Sequence, residues 1–397
     1  MNLRVITALF TLFIFFQLLS CSKDKNSPHV YVLQEVTFET RKDIDAFHSQ
    51  YPECRIIEGN VTITGNDFSK LSGLAGLTTI RGNLIIEDCP SLVSLEGLNN
   101  ISSIEGKLSV ARNDALAGLT GLSSLESIGK SLNISYNSSL LNLAGLENLE
   151  TVGGDLEIAA NIALTNIAGL ENVTSISGNL GISGNHALTN LAGFDNVKSL
   201  PGNLSVINNA NLINLSGLHG LTHIGGNLLI HNNSSLSSFT GLENLISIDS
   251  TFEIVSNPSL TSLPGLVHLF AVGKNLKVMD NRNLITLNGF ETLKYTGSLY
   301  LWNNDKLTSL QALTNLISIS ETLDIWSNNS LTGLSGLDNV EASSVDYIYI
   351  LGNSSLSACE VKSICDFLAG PNGNISIGYN AGGCNSKEDV SEKCGKK

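Results

Sequence analysis

The chain has 397 residues and carries 22 Lys and Arg against 36 Asp and Glu, a formal net charge of −14 at pH 7. A field of that sign repels phosphate backbones and anionic headgroups, so no nucleic-acid partner is expected. Only 6% of residues are aromatic, which makes the position of each one informative.

Residues 1–20 read as a targeting segment: Arg4 gives a positive start, and an apolar run follows from Val5 to Leu19. The run falls short of the ~20 residues that span a bilayer and suits an export signal. Its end, Leu18-Leu19-Ser20-Cys21, resembles the bacterial lipobox, in which cleavage precedes a cysteine that becomes lipid-modified. That resemblance implies a lipid anchor on Cys21 in a bacterial envelope, with the outer membrane as the expected site and the protein facing outward. Residues 21–37 read as a tether. Their Ser-Lys-Asp-Lys opening resembles the charged stretch after the lipidated cysteine in surface lipoproteins of Bacteroidota-like bacteria.

Residues 38–56 are expected to form an N-terminal cap. Thr40-Arg-Lys-Asp43 has the capping-box pattern, and the helix it opens would carry Ile44 and Phe47 on one face. A repeat then runs to the far end of the chain. From about Val61 to Ile377 a 24-residue unit recurs: Gly-x-Leu-x-Ile-x-x-Asn-x-x-Leu-x-x-Leu-x-Gly-Leu-x-x-Leu-x-x-Ile. Periods of this size mean a solenoid, in which only stacking buries the apolar side of each coil. Residues 57–356 form that array.

Alternation in Leu-x-Ile sends two side chains inward and one outward, as in a half-buried strand. The later leucines recur every third residue, as in Leu116, Leu119, Leu122 and Leu125, which suits a polygonal coil better than a helix. Asparagine follows the strand in thirteen coils, from Asn66 through Asn113 and Asn137 to Asn380, with Cys89 replacing it once. A buried amide column must satisfy itself, and stacked turns offer the partners. A glycine column from Gly73 to Gly336, broken only by Ala312, marks a corner. It lacks the strand–loop–helix setting of a phosphate cradle.

Residues 357–397 are expected to close the array. Ser357-Ala-Cys-Glu360 reads as a second capping box, Val361, Ile364, Cys365 and Leu368 have helical spacing, and Gly370-Pro371 stops the helix. Cys359, Cys365, Cys384 and Cys394 fall here, and an oxidising compartment would join them in two disulfides. Spacing alone leaves their connectivity open. Cys54 and Cys89 fall on different sides of the coil, so no bond is expected between them.

Cys54-Arg-Ile-Ile-Glu-Gly-Asn-Val-Thr-Ile63, preceded by the expected helix, resembles the opening of a receptor L domain. Two details favour this over ordinary leucine-rich repeats: asparagine is followed by x-x-Leu, and the Ile-x-Gly-x-Leu step is one residue longer than Leu-x-x-Leu. The resemblance implies an all-β solenoid, a right-handed single-stranded β-helix of about 14 coils with short helical caps. It also implies a non-catalytic extracellular recognition scaffold whose sheet binds ligand. The chain departs from the family in having about twice as many coils and no cysteine-rich module between lobes. Analogy with leucine-rich-repeat C-terminal caps implies the pairs Cys359–Cys384 and Cys365–Cys394.

Outward positions on the strands are free of the core's demands. The residue just past Leu-x-Ile changes from Glu87, Ala111, Ser135, Ala159 and Ser183 to Ile207, His231, Val255, Met279, Trp302, Trp326 and Leu351. Both tryptophans of the chain fall in this column. Neighbouring outward positions add Leu229, Tyr300, Tyr347 and Tyr349. A contiguous apolar and aromatic strip on an exposed sheet is a candidate binding surface for an extracellular glycan or protein. The competing expectations are a structural or self-associating scaffold, with the strip buried in a dimer, and a β-helix enzyme acting on polysaccharide. The sequence leaves the oligomeric state open. Against catalysis, Glu253, Lys277, Asp280 and Asp324 are scattered and form no acid/base pair within one coil. His231 has no second His or Cys beside it, so no metal site is expected, and no motif calls for a cofactor.

Overall fold

The computed structural model describes residues 30–31, 35–370 and 374–395. The export signal, Cys21, most of the tether and Pro371 lie outside the described residues. The chain is a parallel β-solenoid of about 14 turns with few helices. Each turn gives a short strand to one long sheet. Leu132–Ser135 pairs with Leu156–Ala159, which pairs with Leu180–Ser183, all parallel and in register. Leu132, Leu156 and Leu180 therefore stack on one another inside the coil, as do Ile134, Ile158 and Ile182, and all six are fully buried. A narrower sheet of two-residue strands runs alongside, for example Ser103–Ile104, Ser127–Ile128 and Thr151–Val152.

Between the sheets the chain bends through successive turns. The N–H of Leu116 donates to Asn113 O at 3.0 Å, Leu122 to Leu119 at 2.8 Å, and Leu125 to Leu122 at 2.9 Å. Each three-residue step sends one leucine into the core, and Leu116, Leu119, Leu122 and Leu125 are all fully buried. The three-residue spacing is thus the period of a turn that closes between residue i and residue i+3.

The asparagine column is a continuous hydrogen-bond ladder. Asn233 illustrates it. Its Nδ2 donates back to Val206 O at 2.9 Å, its N–H donates forward to Asn257 Oδ1 at 3.0 Å, and its own Oδ1 accepts the N–H of Asn209 at 3.0 Å. The pattern holds from Asn113 to Asn353, every member fully buried. Asn66 does not join it: this residue is exposed, and Phe68 fills the core instead. The ladder therefore begins at Cys89. Its thiol lies 3.6 Å from Ile63 O, where an asparagine would place its amide nitrogen, and its N–H donates to Asn113 Oδ1 at 3.1 Å. With Asn66 out of line, no preceding N–H in the column needs an acceptor from residue 89. A weak donor is sufficient there. Burial holds that thiol in its neutral form, with its pKa pushed up to about 11.

Two further asparagine rows were not anticipated. One accepts backbone N–H groups just before the strand, as when Asn179 Oδ1 takes the N–H of Asn203 at 2.8 Å and Asn203 Oδ1 takes that of Asn227 at 2.7 Å. The other crosses an exposed turn, where Asn244 Nδ2 reaches His219 O at 2.8 Å. The glycine column divides into two corner types. Gly289 has φ +123°, and an added Cβ would sit 2.0 Å from Leu263 O. Ala312 instead lies in a 3₁₀ turn, Gln311–Leu313, which needs no positive φ, so the alanine fits.

Both ends are closed. The first strand of the long sheet is Glu35–Phe38, paired with Asn60–Ile63. Ordered structure thus crosses the boundary expected between residues 37 and 38. Helix α1, Arg41–Gln50, has Thr40 at its N-cap, and the Asp43 carboxylate accepts the Thr40 N–H at 2.7 Å. Ile44 and Phe47 are buried, and Phe47 meets Phe38 edge-on at 5.4 Å. At the other end α2, Lys362–Ala369, starts from Val361 and ends at Gly370. Ser357 is therefore not its cap. The N–H groups of Ser357 and Ala358 bond to Thr332 O at 3.1 and 3.2 Å, so these residues still belong to the last coil, and Cys359 with them. The disulfides are Cys359–Cys384 and Cys365–Cys394, with Cα separations of 5.6 and 5.5 Å. They tie the last coil and α2 to the closing segment and to α3, Lys387–Cys394. Cys54 and Cys89 are buried and take part in neither disulfide.

Truncating a ladder residue leaves a buried group without its partner. Asn233→Ala orphans Asn209 N–H and takes one of two donors from Val206 C=O, and is expected to cost about 1–3 kcal/mol, whereas Asn244→Ala, on the exposed turn, should cost at most about 0.5–1.5 kcal/mol. Urea denaturation of the two variants checks this. Equal losses would contradict the structural role given to the buried column.

Candidate functional site

In-register stacking assembles the outward strip from residues about one coil apart in sequence. Ile207 lies opposite His231, His231 opposite Val255, and Val255 opposite Met279. The row continues through Trp302 and Trp326 to Leu351. The adjacent row runs Leu229, Glu253, Lys277, Tyr300, Asp324 and Tyr349. Tyr347 stands at the margin, opposite Thr322 and Asn374.

These residues divide into two regions of different chemistry. In the first, His231, Val255 and Met279 are half-buried and are bordered by a polar group. Glu253 sits between His231 and Lys277, with His231 Nε2 at 3.1 Å and Lys277 Nζ at 3.0 Å from its carboxylate. Burial lowers the His231 pKa, opposed by the Glu253 charge. This stretch satisfies its own charges and offers a ligand little beyond Val255 and Met279.

The second region is aromatic. Trp302 and Trp326 meet with ring centroids 6.0 Å apart and planes at 85°, and Tyr300 meets Trp302 at 5.6 Å and 85°. Edge-to-face pairs at this spacing are favourable and hold each ring in one orientation. Trp326 is 45% exposed and Tyr349 36%. With Asp324 and Leu351, Trp302, Trp326 and Tyr349 line a hollow of about 240 Å³. Register places Asp324 between Tyr300 and Tyr349, with the two tryptophans alongside. Sequence inspection set Asp324 aside as a scattered charge. Its position among four aromatic rings follows only from aligning three coils, and the one-coil offsets Tyr300, Asp324 and Tyr349 were the available signal. Burial raises the Asp324 pKa, and the neighbouring Trp302 side chain partly offsets that rise.

Two other surfaces are less suited to a ligand. A larger hollow of about 680 Å³ near the N-terminal coils includes Asp88, Arg112, Asp114 and Tyr136. Its guanidinium is already held by Asp88 at 2.7 Å and Glu87 at 2.9 Å. Phe270 and Tyr295 form a second exposed aromatic pair at 5.3 Å, but Lys294 of the same chain lies over the Phe270 ring at 5.6 Å. Among the described residues, no group of three or more His, Cys, Asp or Glu is placed to hold a metal ion.

The raised Asp324 pKa has a thermodynamic sign. The folded state holds this proton more readily than the unfolded state. Stability from the site is therefore greatest below the ordinary carboxylate value of 3.8 and is lost as pH rises through the folded value. Asp324→Asn is expected to raise Tm at neutral pH, with the gain shrinking as pH falls into the carboxylate range. Thermal melts across pH test it, and an unchanged or lower Tm at neutral pH would refute the burial argument.

Residues 53–117 match the receptor L domain family. Among solved structures, the chain is similar to a leucine-rich repeat protein from Bacteroides ovatus at 14% identity, covering 89% of this chain and 86% of that one, with a TM-score of 0.28. It is also similar to a leucine-rich repeat protein from Eubacterium ventriosum at 10% identity, covering 84% of this chain and 89% of that one, with a TM-score of 0.22. No functionally curated protein matches it. By its matched segment and its stacked 24-residue coils, the chain is receptor-L-domain-like and leucine-rich-repeat-like.

Proposed function

We propose that this protein is a non-catalytic recognition module, displayed on a bacterial cell surface through lipid on Cys21. It binds an extracellular ligand, a glycan or a peptide, through the C-terminal part of its long sheet. The observation that carries this reading is the alignment of Trp302, Trp326 and Tyr349 around one hollow, with both tryptophans of the chain in it. Aromatic residues on an open sheet are stiff, carry a large contact area and lose little entropy on binding. The acidic surface gives no attraction to anionic lipid, so the membrane association expected here comes from acylation and the tether.

The two tryptophans make the reading easy to test, because intrinsic indole fluorescence reports on the strip alone. A monomer with quenchable fluorescence is expected. Shielding that grows with protein concentration would instead identify the strip as a self-association surface. The double variant Trp302→Ala, Trp326→Ala should lose capture on glycan and peptide arrays by at least ~30-fold, in line with two central anchors worth over ~1 kcal/mol each, while its far-UV spectrum is unchanged. Undiminished capture would move the binding site elsewhere. In cells, labelling with a palmitate analogue should disappear in Cys21→Ala, and retained label would remove the anchor from the proposal.

A further inference from the structure

The aromatic hollow has a chemical character that narrows its ligand, and the argument rests on the recognition function proposed above. Its walls are Trp302, Trp326 and Tyr349, with Leu351 at one side and the Asp324 carboxylate among them. The tryptophan planes stand at 85° to one another. A pyranose stacks best on one broad open face, whereas two rings at right angles offer a compact group contact from two directions. The size agrees: about 240 Å³ is below the ~300 Å³ at which pockets for larger organic ligands begin.

Charge points the same way. Asp324 is half-buried among rings whose faces are electron-rich, and an open hollow that combines π faces with one carboxylate attracts a cation. Among the described residues, none is paired with Asp324 as that cation. The lysine in the same outward row, Lys277, is paired with Glu253 at 3.0 Å. Elsewhere the molecule fills a comparable position for itself, with Lys294 over Phe270. The aromatic hollow lacks such an occupant among the described residues.

The hydrogen-bonding inventory decides the kind of cation. A primary ammonium brings three donors that need acceptors. Among the residues lining the hollow the charged acceptor is one carboxylate, and the buried Trp302 indole N–H has no hydrogen-bond partner among the described residues. A quaternary ammonium brings no donor and asks only for π faces and a counter-charge. We propose that this hollow binds a quaternary ammonium group, seated on Trp302, Trp326 and Tyr349 beside the Asp324 carboxylate.

The test is a tryptophan-fluorescence titration of the full chain with choline chloride. Three comparison probes are neohexyl alcohol (the neutral carbon isostere of choline), n-butylammonium chloride and cellobiose. Saturable quenching by choline is expected, with the neutral isostere and the primary ammonium each weaker by roughly tenfold or more, the scale of a desolvated cation–π contact. Asp324→Asn and Trp326→Ala should each reduce choline affinity by roughly tenfold or more, the former in a protein at least as heat-stable as the parent. Equal binding of choline and its neutral isostere, tighter binding of n-butylammonium, or full affinity in Asp324→Asn would each overturn the proposal. Failure of choline to bind, together with tryptophan-dependent capture of cellobiose or of an array ligand, would overturn the cation assignment and leave the recognition function standing. No choline binding, with array capture indifferent to Trp302 and Trp326, would remove both.

Discussion

The buried asparagine ladder is the constraint on which the rest of this molecule depends. Each member links three coils: it donates back to a strand carbonyl, donates forward through its own N–H, and accepts from the coil before it, as at Asn233. A one-residue slip of any coil would break these bonds inside a core with no water to replace them, at about 1–3 kcal/mol for each orphaned group. Leucine packing alone is more tolerant, because neighbouring aliphatic side chains exchange positions at modest cost. Apolar stacking therefore supplies the bulk of the stability, and the ladder fixes the register.

Fixed register has a visible consequence at the corner just before each asparagine. The residue there is left-handed in coil after coil, with φ between 55° and 59° at Asp88, Arg112, Tyr136, Ala160, Asn208, Asn232, Ser256, Asp280, Asn303, Ser327 and Tyr379. Such a conformation is costly for residues such as tyrosine and alanine, and it persists because the surrounding bonds over-determine the corner. The side-chain identity at this corner is thereby released from conformational demands. The same holds for the outward strand positions. The scaffold keeps its geometry while those columns vary, so the polar Glu87, Ser135 and Ser183 give way to Trp302 and Trp326 along one sheet. The aromatic hollow stands beside the disulfide-braced end, where Trp326 lies against the Gly352 corner. There the closing helices and two covalent links oppose fraying of the last coils.

Much of this was legible in the sequence, because a strict period turns one-dimensional spacing into three-dimensional proximity. Leu-x-Ile gave strand faces, the three-residue leucine spacing gave turns, and the strip from His231 to Leu351 could be lined up before any coordinates. Legibility failed where a position obeyed the period but its surroundings did not. Asn66 keeps the spacing, yet the cap beneath it gives its place to Phe68. Ser357 has a capping-box pattern, yet the coil's hydrogen bonds hold it in the last turn until α2 starts after Val361. Ala312 breaks the glycine column harmlessly because a 3₁₀ corner makes positive φ unnecessary. Asp324 was seen as an isolated charge because its partners are distributed over neighbouring coils, and a carboxylate acquires its character from what surrounds it.

Backbone amide hydrogen exchange tests the central claim most directly. If the ladder sets the register, the N–H groups of Asn113 through Asn353, each donating to the next side chain inside the core, should exchange only on global unfolding and at closely similar rates along the array. Exposed-turn amides such as that of Asn148 should exchange far sooner. Ladder amides that exchange as fast as those turns would contradict the account, because the coils would then be held by apolar packing without a hydrogen-bonded register.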